Sequence, residues 1–135
     1  MFKPKDFELY ELLSKDSHKK HKDNKFAWLM FDERLLHDLQ NLRDLFGKIT
    51  INDWYWGGNN EWRGIRTKES PWYSSTSQHS YGRAVDLIFN NVTAEQVRTY
   101  ILSHQKDFKI RRLEKDVSWL HFDYGNSNKK DILVF

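Results

Sequence analysis

Two imidazoles and a carboxylate stand where a metal would use them: His79 and Asp86 lie in Ser77-Gln-His-Ser-Tyr-Gly-Arg-Ala-Val-Asp86, and His121 follows in Trp119-Leu-His-Phe-Asp123. A neutral-imidazole and carboxylate set of this kind suits Zn²⁺ and leaves a fourth position for water, as hydrolytic zinc requires. It points to metal-assisted hydrolysis. The chain has no cysteine, which excludes a thiolate nucleophile, a disulfide framework and sulfur-ligated zinc. Any metal must be held by His, Asp or Glu.

The elements that must carry these residues can be read from the pattern of apolar positions. Ala84 to Phe89 alternates as a strand, with Ala84, Asp86 and Ile88 on one face and Val85, Leu87 and Phe89 on the other. An ionised carboxylate within so apolar a strand is costly unless it is paired, hydrogen-bonded or bound to a cation. Ser118 to Tyr124 forms a second strand, presenting Trp119, His121 and Asp123 on one side and Leu120, Phe122 and Tyr124 on the other. Gly82 gives the backbone the freedom to turn His79 and Asp86 towards one point.

Around these, Asp6 to Lys15 predicts a short first helix, and the polar run after it, with His18, Lys19, Lys20, His21, Lys22 and Lys25, predicts a solvated loop. From Asp32 the leucines recur at helical spacing until Gly47 stops them. Lys48 to Asn52 reads as a strand, and Trp54 to Ser77 as a long loop that walls a site. Thr93 and Gln96 form a capping box that opens a helix with Ala94, Val97, Ile101 and Phe108 inward. Ile110 to Glu114 and Ser118 to Tyr124 predict an antiparallel hairpin, and Asp131 to Phe135 a terminal strand. The expected fold is α+β, an antiparallel sheet with flanking helices.

At 135 residues the chain has room for one core, so a single domain over 1–135 is expected: an N-terminal helix and basic loop over 1–30, then a catalytic core over 31–135. Six Trp and 16% aromatic residues suggest a groove as well as a core. No window approaches the roughly 18 apolar residues of a membrane span, and the opening residues lack the apolar stretch of a secretory signal. Net charge +3 is mild, and the lysine stretch is the sole feature that favours nucleic acid, so none is expected as a partner. The chain is expected to be a monomer, since no feature of it demands a second copy.

His79-x-x-Gly82-x-Ala84-x-Asp86 followed by Trp119-x-His121 resembles the signature of the zinc peptidases grouped as lysostaphin, D-alanyl-D-alanine carboxypeptidase and the hedgehog signalling domain. It looks most like the carboxypeptidase-like branch found in phage endolysins and virion-associated cell-wall peptidases, over roughly Ile49 to Gly125. The resemblance implies a hedgehog/D-Ala-D-Ala-peptidase-like fold, Zn²⁺ on His79, Asp86 and His121, and a peptidoglycan stem or bridge peptide as substrate. It also implies a phage or prophage product that works at the bacterial wall from the host cytoplasm or a virion.

The general base is less direct. Relatives resembling the D-Ala-D-Ala dipeptidases carry a Glu three positions before the last zinc His, where this chain has Ser118. Glu114 is the first candidate, Asp123 the second and Asp116 the third, while Asp123 suits equally the orienting of a ligand. Ser118 keeps open a second reading, a zinc-binding module of the same fold whose catalysis has decayed. For holding a carboxylate or oxyanion the choice is Arg66, with Arg63 and Arg83 as alternatives. Trp54, Trp56, Trp62, Trp72 and Tyr73 either line the groove or form a satellite core. His18, His21, His37 and His104 are read as structural or surface residues.

Overall fold

The computed structural model describes residues 1–135 as one α+β domain, a five-stranded mixed sheet with four helices. Helix α1 (Leu9–Leu12) and helix α2 (Lys15–His21) come first, followed by α3 (Glu33–Phe46). Strand β1 (Ile49–Thr50), the long loop, β2 (Ala84–Phe89), α4 (Ala94–Ser103), β3 (Arg112–Leu113), β4 (Leu120–Asp123) and β5 (Leu133–Val134) complete the chain. No helix is long and apolar enough to cross a membrane.

The sheet order is β1-β2-β4-β3-β5. All neighbours are antiparallel except β3 and β5, which run parallel, so the sheet is mixed rather than wholly antiparallel as the hairpin pattern suggested. Alternation along β2 and β4 divides the sheet into two unlike faces. Val85, Leu87, Phe89, Leu120, Phe122 and Tyr124 enter one hydrophobic core with Leu35, Leu36, Leu39 and Leu42 of α3 and Val97 and Ile101 of α4. The opposite face carries Asp86, His121 and Asp123. One layer of helices thus backs the sheet and leaves the polar face for chemistry.

Helix α3 starts where the Asp32 side chain accepts a hydrogen bond from Arg34 N and ends at Gly47, as its leucine spacing predicts. Helix α4 begins with the reciprocal capping box of Thr93 and Gln96. The amino-terminal region departs from expectation. The single first helix is broken at Leu13 and Ser14, and the polar run is helical because the Ser14 hydroxyl accepts from Ser17 N. His18, Lys19, Lys20 and His21 fall in the last turn of α2, where the helix dipole favours cations.

This region is not an appendage. Phe7, Leu12 and Leu13 belong to the main core, and the carbonyls at the end of α1 hold the loop that follows β1. Glu11 O accepts from Asn52 N, Leu12 O from Ile65 N at 3.0 Å, and Leu13 O from both Asn52 Nδ2 and Trp54 Nε1.

The turn between β3 and β4 is fixed from behind by Arg98 of α4, which is 6% exposed. Its guanidinium donates to Trp119 O at 3.0 Å, Val117 O at 2.9 Å and Glu114 O at 3.4 Å, and to the Glu95 carboxylate. Arg98→Ala would leave these carbonyls short of a donor beside a largely buried position. We expect a loss of about 3 kcal/mol, read as a lowered urea midpoint, with little recovery in Arg98→Lys because an ammonium lacks the planar fork.

Candidate metal centre

Strand register brings the chemistry together. Asp86 of β2 lies directly opposite His121 of β4, so both side chains leave the same face of the sheet side by side. His79 arrives from a short 3-10 turn, Gln78–Tyr81, which ends at Gly82 with φ 65. At Gly82 a Cβ would fall 2.1 Å from Met30 O, so glycine is required both by the left-handed backbone and by this close approach. The turn then delivers the chain into β2 with His79 facing Asp86.

His79, Asp86 and His121 are all buried, and one ligand atom from each lies within 4.8 Å of the others. His79 Nδ1 lies 2.8 Å from Gly64 O. A carbonyl only accepts, so Nδ1 carries the proton and the Nε2 lone pair points at Asp86 Oδ2, 3.5 Å away. His121 Nδ1 is 2.8 Å from Asp86 Oδ1, and Nε2 is 2.9 Å from Asp123 Oδ2. Asp123 is in turn gripped by Arg112 through two hydrogen bonds of 2.6 and 3.0 Å and accepts from Gly125 N. Carboxylate–imidazole pairs of this type fix the ring orientation of metal ligands.

The charges agree with that geometry. Burial works against ionised Asp86, but the hydrogen bond from His121 and the adjacent His79 ring outweigh it and hold the carboxyl well below the usual carboxylate range. Burial would lower His121, yet Asp123 and Asp86 push its pKa up to about 9. Asp123 is likewise lowered, burial being outweighed by His121, Arg112 and Gly125 N. His121 thus sits between two carboxylates, and a cation bound at Nδ1 would compete with a proton for that nitrogen. Two imidazoles and an oxygen, each steered from behind, could hold a divalent metal ion.

A cavity of about 340 Å³ opens over the trio, and Arg66, Glu114, Arg112, Trp119 and Phe135 help to line it. Glu114 N donates to His121 O, continuing the β3–β4 ladder so that Glu114 stands opposite His121 on the site face. Its carboxylate has no hydrogen-bond partner on the protein. Arg66 donates through Nη2 to Asp86 Oδ2 at 3.1 Å and through Nε to Trp62 O, leaving Nη1 without a protein acceptor in a side chain that lines the cavity.

The other candidates separate cleanly. Asp116 is exposed in the turn with φ 62 and does not line the cavity. Asp123 is fully engaged by His121, Arg112 and Gly125, so it holds the His121 ring and has no free oxygen with which to collect a proton. Ser118 faces a neighbouring cavity rather than the one above the trio. Arg63 donates through Nη1 to Ile51 O and lines the neighbouring cleft rather than the cavity over the trio, and Arg83 lies with Arg34 and Arg111 in a separate polar cleft of about 690 Å³. His37 stacks on Phe2, His104 on Tyr100 and His18 packs near Trp54, all remote from the trio.

Three parts of the centre escaped sequence reasoning. Arg112 was one cation among many, with no local sign that it would clamp Asp123. The Gly64 carbonyl that sets the His79 tautomer carries no side-chain signature at all; a Cβ at Gly64 would meet Leu12 O at 2.1 Å, which is why the loop can press against α1. Phe135 packs edge-on to His121 at 5.9 Å and under the Arg112 guanidinium at 5.0 Å. No protein-family model matches the chain, and neither a curated protein nor a solved structure matches it.

Proposed function

We propose that this chain is a zinc-dependent peptidase that hydrolyses peptide bonds of bacterial peptidoglycan, with the hedgehog/D-Ala-D-Ala-peptidase-like arrangement its motifs resemble. The observation that carries the reading is the convergence of His79, Asp86 and His121 with a free carboxylate, Glu114, and a partly free guanidinium, Arg66, around one cavity. The donor set of two imidazoles and one carboxylate fits zinc better than calcium or magnesium, which prefer oxygen alone. Zinc bound there would acidify water and polarise the scissile carbonyl.

The chain's own residues supply the rest. Glu114 takes the proton from the attacking water and returns it to the departing amine. Arg66 Nη1 donates to the oxyanion or to a substrate carboxylate, while its other nitrogens stay tied to Asp86 and Trp62 O. Arg112 and Asp123 keep the His121 ring in place throughout.

A decayed zinc-binding module of the same fold is the second reading, favoured by Ser118 at the position where some relatives carry the acid. Defined muropeptides incubated with the zinc-loaded protein separate the two. Mass spectrometry should show new fragments that vanish with chelator and return with added zinc. A protein that binds one zinc yet releases no fragment from any stem or bridge substrate belongs to the second reading.

A further inference from the structure

The tryptophans fall into two populations. Trp28 is in the core near Phe31, and Trp54 and Trp56 join Tyr10 and Tyr55 in a stacked surface cluster whose closest ring pair is 3.8 Å apart. Those rings stabilise one another, and the satellite-core expectation holds for them. Trp62, Trp72 and Trp119 behave differently. None stacks on another aromatic ring or carries a cation, yet all three line one cleft of about 530 Å³. Trp72 is 65% exposed and Trp119 37% exposed. Apolar rings converging on an open cleft without partners mark a binding surface.

That cleft shares Arg66, Asp86 and Trp119 with the cavity over the metal centre, so the two form one continuous groove. Its polar lining includes Asn59 and Glu61, whose side chains have no hydrogen-bond partner on the protein. Strand pairing is already complete beside it. Asp86 N donates to Arg63 O, and β4 is bordered by β2 and β3, so no free strand edge is offered to an extended peptide backbone. A phosphodiester chain is also disfavoured, because the carboxylates of Glu61 and Asp86 line the cleft and offset its two arginines. A neutral ring with one C–H face and a hydroxyl-bearing edge satisfies every group present: indoles take the face, and Asn59 and Glu61 take the edge.

We infer that the Trp62–Trp72–Trp119 cleft is a saccharide subsite that takes a neutral pyranose of the glycan strand, beside the peptide-cutting centre. Identifying that pyranose as the N-acetylated sugar that bears the stem rests on the peptidase reading, whereas the pyranose-binding cleft itself does not. The probe is the β-1,4-linked trimer of N-acetylglucosamine, added to the full chain while indole N–H signals are followed by NMR. Shifts should be confined to Trp62, Trp72 and Trp119. Trp72→Ala should weaken trimer binding roughly tenfold, as the loss of one stacked ring implies, while Trp56→Ala in the stacked cluster leaves it unchanged.

Trp72 is exposed, so its replacement should not disturb folding; Trp119→Ala, with a circular dichroism check, provides a second variant. Absence of trimer-dependent shifts at these indoles overturns the inference. So does a stronger response of the same signals to a sugar-free stem peptide, which makes the cleft a peptide subsite, or to single-stranded oligodeoxynucleotide, which makes it a base-stacking one. Because this assay records no turnover, a chain that binds the trimer but cuts no muropeptide refutes only the peptidase reading. A chain that cuts without binding the trimer refutes only the subsite.

Discussion

Replacing His121 by alanine is expected to remove the metal and the hydrolysis together. The ring supplies the donor opposite Asp86 and links that carboxylate to Asp123 and Arg112, so its deletion breaks the set at its middle. Hydrolysis should fall by at least about 10³-fold, equivalent to about 4 kcal/mol of barrier. Zinc content, measured by atomic emission on the purified variant, should drop from one equivalent to background. Asp123→Asn provides the graded comparison. It spares the ligands but loosens the ring from behind, and should lower metal affinity by about 10- to 100-fold while leaving stoichiometry at saturating zinc intact. A His121→Ala chain that retains one tightly held zinc would remove His121 from the centre and with it the peptidase assignment.

Glu114→Gln should have the opposite signature, with metal kept and turnover lost. Its carboxylate stands across the ladder from His121, lines the same cavity and has no protein partner, as a proton acceptor for water requires. Glutamine preserves the shape and removes the basicity, so kcat should fall by about 10²- to 10⁴-fold with KM little altered. Zinc titration of the variant should match the parent. Undiminished turnover would take the base role away from Glu114, and neither Asp123, which is fully engaged, nor Asp116, which lies outside the cavity, is placed to inherit it.

How far the chain could be read in advance varied with the range of the forces involved. Helix α3, strand β2 and the start of α4 were legible because Asp32, the leucine spacing, the alternation around Asp86 and the Thr93–Gln96 box act within a few residues of themselves. The convergence of His79, Asp86 and His121 was legible from residue type, and Asp86 in particular because a carboxylate in an apolar strand needs a reason. Helix α2 was missed since it has almost no apolar face; a single serine cap and its tertiary neighbours hold it. The parallel pairing of β5 with β3 depends on the route of the intervening chain, which no local pattern encodes. Arg98, Arg112 and the Gly64 carbonyl act at long sequence separation, and their partners become visible only once the chain is folded.

The grip of α1 on the loop after β1 bears on any attempt to trim this protein. Carbonyls of Glu11, Leu12 and Leu13 secure Asn52, Trp54 and Ile65, and the residue before Ile65 is the one that sets the proton on His79. A fragment cut to begin at residue 31 would keep every ligand and every candidate for proton transfer. It would nonetheless unmoor the strap that aims the first imidazole, so the smallest unit that keeps the trio in place reaches back to include Glu11, Leu12 and Leu13.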